Sequence, residues 1–546
     1  MNNLYNLARN GISVAQAAIR VTGDNLTNGM SGTYSRRSLL IGELGGMSTP
    51  QGFYGFGARI GGVERAYDAF ANTQLRDSLS QYASLTGRME QLADIDNMLA
   101  DEADNVDVSL NKLFKDMATL SGAPEDGPAR AAVFTSLEVL ANRYNASAKR
   151  LTGLEKSTNT QIERSANEIN SFTEQLAQLN KQLERLQGNG APPADLLDQR
   201  DALLEGLSEQ IGITVTEDQT SGRVTVTLSD GRPLVSGDTA YKLQTSPSDA
   251  DPNKTIVSYV DANGKASPLD ENSITKGRLA GLFKFRNEDL AVARKDLDQI
   301  AFMMAHRMNE QNGKGVDGNN NQGGDLFSLP DIKALANAKN QGDVALDQIK
   351  VTDFREVKSE NYDIRFVGGQ WVVTGEDGRN VTPESGALPG ALKFDGIEIT
   401  LPAGSTPAEG DKFTLNPMAG AAEGISRKIT SALEFAAADT ANEPGNNKNL
   451  EEMLKIQKEA LIGNDTLSAA YASLAGKIGE SAREVKAYAT SAETDLRTKY
   501  DAKQALSGVN MDEEYINLDM FHQYYRGSAQ LLQTANAMFD ALLAIR

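Results

Sequence analysis

Three aspartates, Asp195, Asp198 and Asp201, fall close together in one helical stretch, and closely placed carboxylates are what general acid–base catalysis requires. They flank Leu196, Leu197 and Leu203, the pattern of a helix whose acids form its solvated face, in a chain that is rich in acids elsewhere. Imidazole chemistry has little to draw on. His306 and His522 are the only histidines, and each falls within a helical seam, so neither a histidine triad nor a multi-histidine metal site is supported. The absence of cysteine excludes disulfides, thiol nucleophiles and thiolate metal sites together. Residues 313–325 have the Asp, Asn and Gly content of a calcium loop, but Gln322 stands where glycine is required and Ser328 where a bidentate glutamate is required. They read as a linker. The sequence therefore offers no catalytic, cofactor-binding or metal-ligating residue.

Charge and hydropathy exclude further classes. A formal charge of −20 over 546 residues argues against nucleic acid as a partner, since phosphate binding needs a basic face. The 40% of hydrophobic residues is spread out, and no run approaches the ~20 apolar residues of a membrane span. No basic segment followed by an apolar block and a small-residue cleavage site opens the chain, so neither membrane insertion nor a cleaved signal is expected.

What remains is periodicity, and it is strongest at the two ends. Met511, Leu518, Tyr525, Leu532 and Phe539 recur every seven residues, with Tyr515, His522, Ala529, Asn536 and Leu543 as a companion row. At the other end Leu7, Val14 and Val21 form one row and Leu4, Gly11 and Ala18 another. Residues 1–40 carry a net +3 and residues 509–546 a net −3, so the two seams are also electrostatically complementary. Either the two helices complete an ordinary intramolecular bundle, or they await partners from other copies; the period alone leaves both open.

Between the ends the pattern alternates. Residues 22–37, dense in Asn, Gly, Ser and Thr, predict the end of the first helix and a side-chain-bonded loop, followed by extended chain from Arg59 to Val63. Leu75, Tyr82 and Met89 with Leu85, Leu92 and Leu99 predict one long helix. A short helix around 110–120 stops at Ser121-Gly122-Ala123-Pro124, and helix resumes over 129–140. Ile162, Ile169, Leu176 and Leu183 mark a coiled-coil segment ending in residues 188–193. The period shortens to two around 213–215, 223–228 and 256–260, giving a small β insert. Helix returns with Leu290, Leu297 and Met304. A second β region spans 344–416, with strands expected over 362–367, 370–374, 392–394, 397–401 and 413–415. Helix is then expected through Ile425, Ile429 and Leu433, an exposed loop over 442–449, and helix again at 450–461 and through Leu467, Tyr471, Leu474 and Ile478.

The fold class expected is α+β, elongated and multidomain: terminal coiled-coil helices and a long-helix stem with small antiparallel β domains inserted. Residues 1–35 with 508–546 form the terminal coiled-coil unit. Residues 36–210, 275–335 and 420–507 form the stem, 211–274 the first β insert and 336–419 the second β domain.

Several segments resemble a known family. Asn25 and the Gly32-Thr33-Tyr34-Ser35-Arg36 element are similar to the signature of the flagellar rod, hook and hook-associated proteins, with Asp24 where an Asn is usual and Thr33 added between Gly and Tyr. Residues 57–65, Tyr67-Asp68-Ala69-Phe70, Gln74-Leu75-Arg76 and 195–203 resemble the hook-associated branch, as do Leu506 to Tyr515, Tyr524-Tyr525-Arg526, 529–536 and Phe539-Asp540-Ala541-Leu542. The resemblance implies a structural, non-enzymatic component of the bacterial flagellum that joins hook to filament as a ring, polymerising through its terminal helices. It implies Leu7, Val14, Val21, Asn25, Tyr34, Arg36, Tyr515, Leu518, Tyr525, Leu532 and Phe539 as assembly residues. It also implies contacts with further copies of itself, the hook protein and the second hook–filament junction protein, with an export chaperone on the C-terminal helix and no cofactor. Export through the flagellar type III channel after a transient cytoplasmic stage is part of the same expectation. The rivals are another axial protein, the second junction protein among them, and a surface glycan-binding or glycosidase-type protein.

Overall fold

The computed structural model describes all residues except 1, 51, 102–104, 187–191, 219, 382–389 and 545–546. Most of the breaker expected at 188–193 lies outside the described residues. Helix α1 (Asn2–Asn28) continues through the stretch that the sequence reads as a loop. Its polar side chains bond back onto the helix instead of ending it: Thr27 Oγ1 donates to the Gly23 carbonyl at 2.9 Å and Asn28 Nδ2 to that of Asp24 at 2.9 Å. The loop is confined to residues 29–36. Four strands follow, β1 (Arg37–Glu43), β2 (Gly46–Thr49), β3 (Gly52–Gly55) and β4 (Ala58–Arg65). β1 pairs antiparallel with β4, with an irregularity after Leu40, and β2 pairs with β3 as its tip. Only 59–63 of this ribbon was expected to be extended.

The helical body consists of α2 (Ala69–Leu99), α3 (Val106–Gly122), α4 (Gly127–Leu186) and α5 (Ala194–Gln210), joined later by α6 (Arg278–Lys284) and α7 (Ala291–Asn312). Asp68 caps α2 by accepting from the Ala71 N–H at 2.7 Å, and Asn105 caps α3 through Val108 at 2.9 Å. The two pieces expected over 129–140 and 162–186 are one helix of 60 residues, about 90 Å long. No proline interrupts it after its first turn, and Gly153 is tolerated in its interior.

Between α5 and α6 lies the first β insert. It comprises β5 (Ile213–Glu217), β6 (Val224–Leu228), β7 (Pro233–Ser236), β8 (Thr239–Ala240), β9 (Lys242–Pro247), β10 (Thr255–Val260) and β11 (Ala266–Pro268). These strands form sheets ordered β5-β6-β7-β8 and β11-β10-β9. The insert docks on α4, sharing a core with Ile162, Ile169 and Leu176. Asn159, Asn170 and Asn180, spaced about three turns apart on α4, each reach a strand or loop backbone. Asn170 exchanges two bonds of 2.8 Å with Leu243, Asn159 Nδ2 donates to Asn253 at 2.7 Å, and Asn180 binds the Val224 N–H and carbonyl and the Gly237 carbonyl.

After α7 come β12 (Phe327–Ser328), β13 (Leu335–Ala336), β14 (Ile349–Val351), β15 (Tyr362–Val367), β16 (Gln370–Thr374), β17 (Gly390–Phe394), β18 (Ile397–Leu401) and β19 (Lys412–Leu415). Two antiparallel sheets result, β13-β19-β15-β16 and β14-β18-β17. Trp371 is buried between Phe366 and Phe413, with ring centroids 5.2 and 5.9 Å away. His306 on α7 stacks on Phe354, centroids 5.6 Å apart, and burial lowers its pKa, so it serves packing.

Helix does not run through Ile425, Ile429 and Leu433. α8 (Ala421–Gly424) is one turn, and β20 (Ser426–Arg427) then pairs with β12. Ile425 and Ile429 are buried in the main core without a helix to space them, while Leu433 is exposed. The exposed loop at 442–449 is also shorter than expected. α9 (Lys448–Lys455) begins inside it, and buried Asn449 donates to the Ala436 carbonyl at 2.7 Å and accepts from Gln311 at 2.8 Å. The chain closes with α10 (Leu467–Ser507), packed along α2, and α11 (Met511–Leu543). The main core joins α2, α3, α4, α7 and α10 to the second β region in one continuous cluster.

Two outcomes follow from the interior polar groups. Asn180→Ala strips three backbone groups of their partner and is expected to cost about 2–3 kcal/mol. Hydrogen exchange would show it as lost protection in 224–237 with 362–374 unchanged. Asp298 accepts from the Gly420 and Ala422 N–H groups at 3.0 and 2.9 Å, and burial pushes its carboxyl up to about 6. A folded-state value above the ordinary 3.8 means that stability rises as pH falls from about 6 towards 4 and is lost as pH rises through 6. The swing is at most about 3 kcal/mol, and Asp298→Asn should flatten that part of the denaturation profile.

Candidate functional site

α11 starts at Asn510, whose side chain accepts from the Asp512 and Glu513 N–H groups at 3.1 and 3.4 Å, with three acids in the positive first turn. It runs antiparallel along α1. A Cβ on Gly11 would fall 2.5 Å from Ser528 Oγ, and one on Gly29 2.9 Å from Val509 Cβ, which fixes the register and shows how closely the two backbones approach. That register sets Leu7, Val14 and Val21 level with Leu532, Tyr525 and Leu518. Val14 and Val21 are buried and the other four half-buried.

The companion row on α11 is shifted by one from the sequence expectation. Glu514 and Ser528 are buried and Phe521 and Ala535 half-buried, while Tyr515, His522, Asn536 and Leu543 are exposed. A heptad seam alternates steps of three and four, and here the step after Met511 is three. Phe539 keeps its row but is 55% exposed, because the register carries it past the start of α1. On α1 a third row, Ala8, Ala15 and Thr22, is buried as well, since β1 and β4 cover a second side. Those small residues at seven-residue spacing were the available signal. Gly57, with φ of 95°, lets the ribbon pass within reach of Leu7.

Asn25, Tyr34 and Arg36 meet at the joint between this unit and the stem. Asn25 exchanges bonds of 2.8 and 3.0 Å with the Arg37 backbone, and its Oδ1 also accepts from Tyr34 Oη at 2.9 Å. Burial pushes the Tyr34 phenol up to about 12 against the pull of Arg37. Arg36 donates to Glu514 at 2.9 Å, lies 3.3 Å from Glu513, and through its own N–H holds the Ser507 carbonyl at 2.8 Å. Next to it is a buried ionic cluster. Arg65 donates to Asp198 at 2.8 Å and Asp201 at 2.6 Å, Arg37 to Asp198 at 3.2 Å, and Arg200 to Asp201 at 2.8 Å and Glu217 at 2.5 Å. Tyr67 Oη donates to Glu217 at 2.9 Å beneath the Arg65 and Arg200 guanidiniums, and burial together with the nearby carboxylates raises its pKa.

The aspartates therefore contradict the solvated-face reading. Asp198 is 8% and Asp201 3% exposed, and only Asp195 faces water. Each buried carboxylate is held by guanidinium groups, an arrangement that fixes structure and leaves no poised base. Among the described residues no group of His, Asp or Glu could hold a metal ion.

The chemistry of the surface lies elsewhere. Among the described residues, eleven large hydrophobic side chains are exposed between Tyr5 and Phe70 and eleven between Tyr488 and Leu543, against seven in the whole chain between. Patches of this kind on a folded protein mark contact surfaces. The joint itself can be tested. Arg65→Ala leaves Asp198 and Asp201 short of a cation in a dry site, an expected loss of about 3 kcal/mol or more. Faster hydrogen exchange in 37–65 and 511–543, with 129–151 still protected, would be its signature.

The "Flagellar hook-associated protein FlgK helical domain" family matches residues 92–327, and the "Flagellar hook-associated protein 1, D2-like domain" family matches 335–417. The chain is 35% identical over 556 residues to flagellar hook-associated protein 1 of Salmonella typhimurium and 36% identical over 554 residues to that of Escherichia coli, each alignment covering 100% of both chains. The structure of the flagellar hook junction protein FlgK from Burkholderia pseudomallei superimposes with a TM-score of 0.72 at 23% identity, covering 80% of this chain and 100% of that one. At that identity the match bears on the fold, and the fold is the same α+β arrangement.

Proposed function

The chain belongs to the flagellar hook-associated protein 1 family and is a structural component of the bacterial flagellum joining hook to filament; we propose that it does so as an adaptor ring, polymerising through α1 and α11. The carrying observation is the concentration of exposed apolar side chains on the two terminal stretches, while the stem and β regions close their cores within one chain. Leu7, Val14, Val21, Leu518, Tyr525 and Leu532 hold the helix pair. Tyr515 and Phe539 stay open for neighbours, and Asn25, Tyr34 and Arg36 set the angle of the pair to the stem.

The partners under this reading are further copies of the chain, the hook protein on one side and the second junction protein on the other. An export chaperone engages the exposed face of α11 before delivery. Export through the flagellar type III channel without a cleaved signal belongs to the same proposal. The role is non-enzymatic: the carboxylates an acid–base reading would need are occupied by Arg37, Arg65 and Arg200.

α11 is held to its own chain mainly along one narrow seam and is marginal there in water, so under this reading the ordering of the pair is coupled to addition at the growing tip. In the purified monomer the peptides of 1–35 and 510–543 should exchange backbone hydrogens well before those of 160–186. Leu532→Asp, which puts a charge in the seam, should leave Trp371 fluorescence and the stem unchanged yet abolish incorporation at the hook–filament boundary and motility in cells lacking the native copy. Complementation by Leu532→Asp would refute the terminal-seam mechanism.

A further inference from the structure

Two apolar faces of the terminal unit are left uncovered by its own chain, and they are different in kind. One is a helical stripe on α11: Ile516, Met520, Tyr524, Leu531 and Met538, exposed by 42–70%. At 100° per residue these five fall within roughly an 80° arc, turned about a third of a revolution from the side facing α1. The other is the outer side of the β1–β4 ribbon and its β2–β3 tip, where Ile41 stands opposite Ile60 and Met47 opposite Tyr54, each 44–53% exposed, beside Phe53 at 67%. A two-stranded ribbon whose tip strand β3 is exposed at all four residues is marginal without cover.

We propose that the α11 stripe of one copy docks on the outer face of the ribbon of a neighbouring copy, an inference that rests on the ring reading above. Three observations select a second copy as the occupant. The two faces are unlike and sit on one unit, so joining them makes a heterologous contact, the kind that propagates around a ring or helix, whereas like-to-like pairing would stop at a dimer. Arg36, Arg37, Arg65, Glu513 and Glu514 are paired within the chain, so charge can favour the union only through the groups left facing outward. Arg59 on the ribbon and Asp512 and Asp519 on α11 are exposed and so are available to steer it. Finally, the end of α11 overruns α1, leaving Phe539 and Leu543 to be covered from outside the chain.

The cysteine-free chain makes the test clean. Full-length Tyr54→Cys and Tyr524→Cys proteins are co-expressed in cells lacking the native copy, flagella are isolated, oxidised and resolved without reductant. The expected result is a two-chain adduct joining position 54 to position 524, at least about tenfold above that from the pair Val139→Cys and Tyr524→Cys. An adduct formed by Tyr524→Cys alone at equal yield, an adduct of either cysteine variant with a different flagellar protein, or cross-linking at the control level in assembled flagella each overturns the proposal while leaving the ring reading in place. Failure of the unmodified protein to localise at the hook–filament boundary would instead overturn the ring reading. As a second arm, Tyr54→Asp should keep monomer circular dichroism and Trp371 fluorescence unchanged and reduce incorporation at least about tenfold; full incorporation overturns the proposal.

Discussion

Asp198 and Asp201 are carried out of water to meet Arg65, and the relation of the terminal unit to the rest of the molecule depends on that meeting. Burying two carboxylates is unfavourable by several kcal/mol each, and the loss is recovered only when guanidinium geometry is good and the other lone pairs are satisfied. Here three arginines converge: Arg37 and Arg65 side by side on the two strands at the base of the ribbon, paired in register, and Arg200 from α5 itself. A hydrophobic contact could have supplied comparable energy, but it would have allowed the ribbon to slide or tilt. Arg65 bridges the two carboxylates with one nitrogen on each, and charge-assisted bonds of that directionality in a dry site tolerate little displacement. The angle at which the helix pair leaves the stem is thus set by a few side chains, with Arg36 and Ser507 fastening the second chain crossing beside it.

The three asparagines of α4 solve a related problem by neutral means. A β insert packed on a helix by apolar contact alone could rotate about it. Asn159, Asn170 and Asn180 bind main-chain groups that would otherwise be unpaired, and because main-chain positions are fixed by the sheets, the insert is held at three heights along one helix. The stem, its two β regions and the terminal unit therefore differ in how firmly each is tied, and the least self-sufficient part is the one with apolar surface to spare.

Much of this architecture was legible in the sequence because long helices and alternating strands write their periods plainly. The rows Leu7, Val14, Val21 and Leu518, Tyr525, Leu532 came out level with each other, and the strands around Trp371 lay where the two-residue period put them. What was not legible depended on partners distant in sequence. Asp198 and Asp201 read as solvated because Arg37 and Arg65, which bring the ribbon down over them, lie more than 130 residues away. Ile425 and Ile429 have helical spacing by coincidence, their burial coming from the main core. Beyond Arg59 to Val63 the ribbon was missed because short, glycine-rich strands with exposed hydrophobic residues do not alternate, and the companion row of α11 slipped by one because a heptad can be continued by three or by four.

The antiparallel pairing of α1 with α11 also has a consequence in time. Its two halves are separated by nearly the whole chain, and a ribosome adding 5–20 residues per second needs roughly half a minute or more to pass from one to the other. Throughout that interval the first helix to be made has no mate, while the stem and both β regions can close behind it. The last element synthesised is the one that completes the first. A nascent copy is therefore unable to pair its own ends until it is released, and every moment before that is open to whatever else in the cell can bind an amphipathic helix.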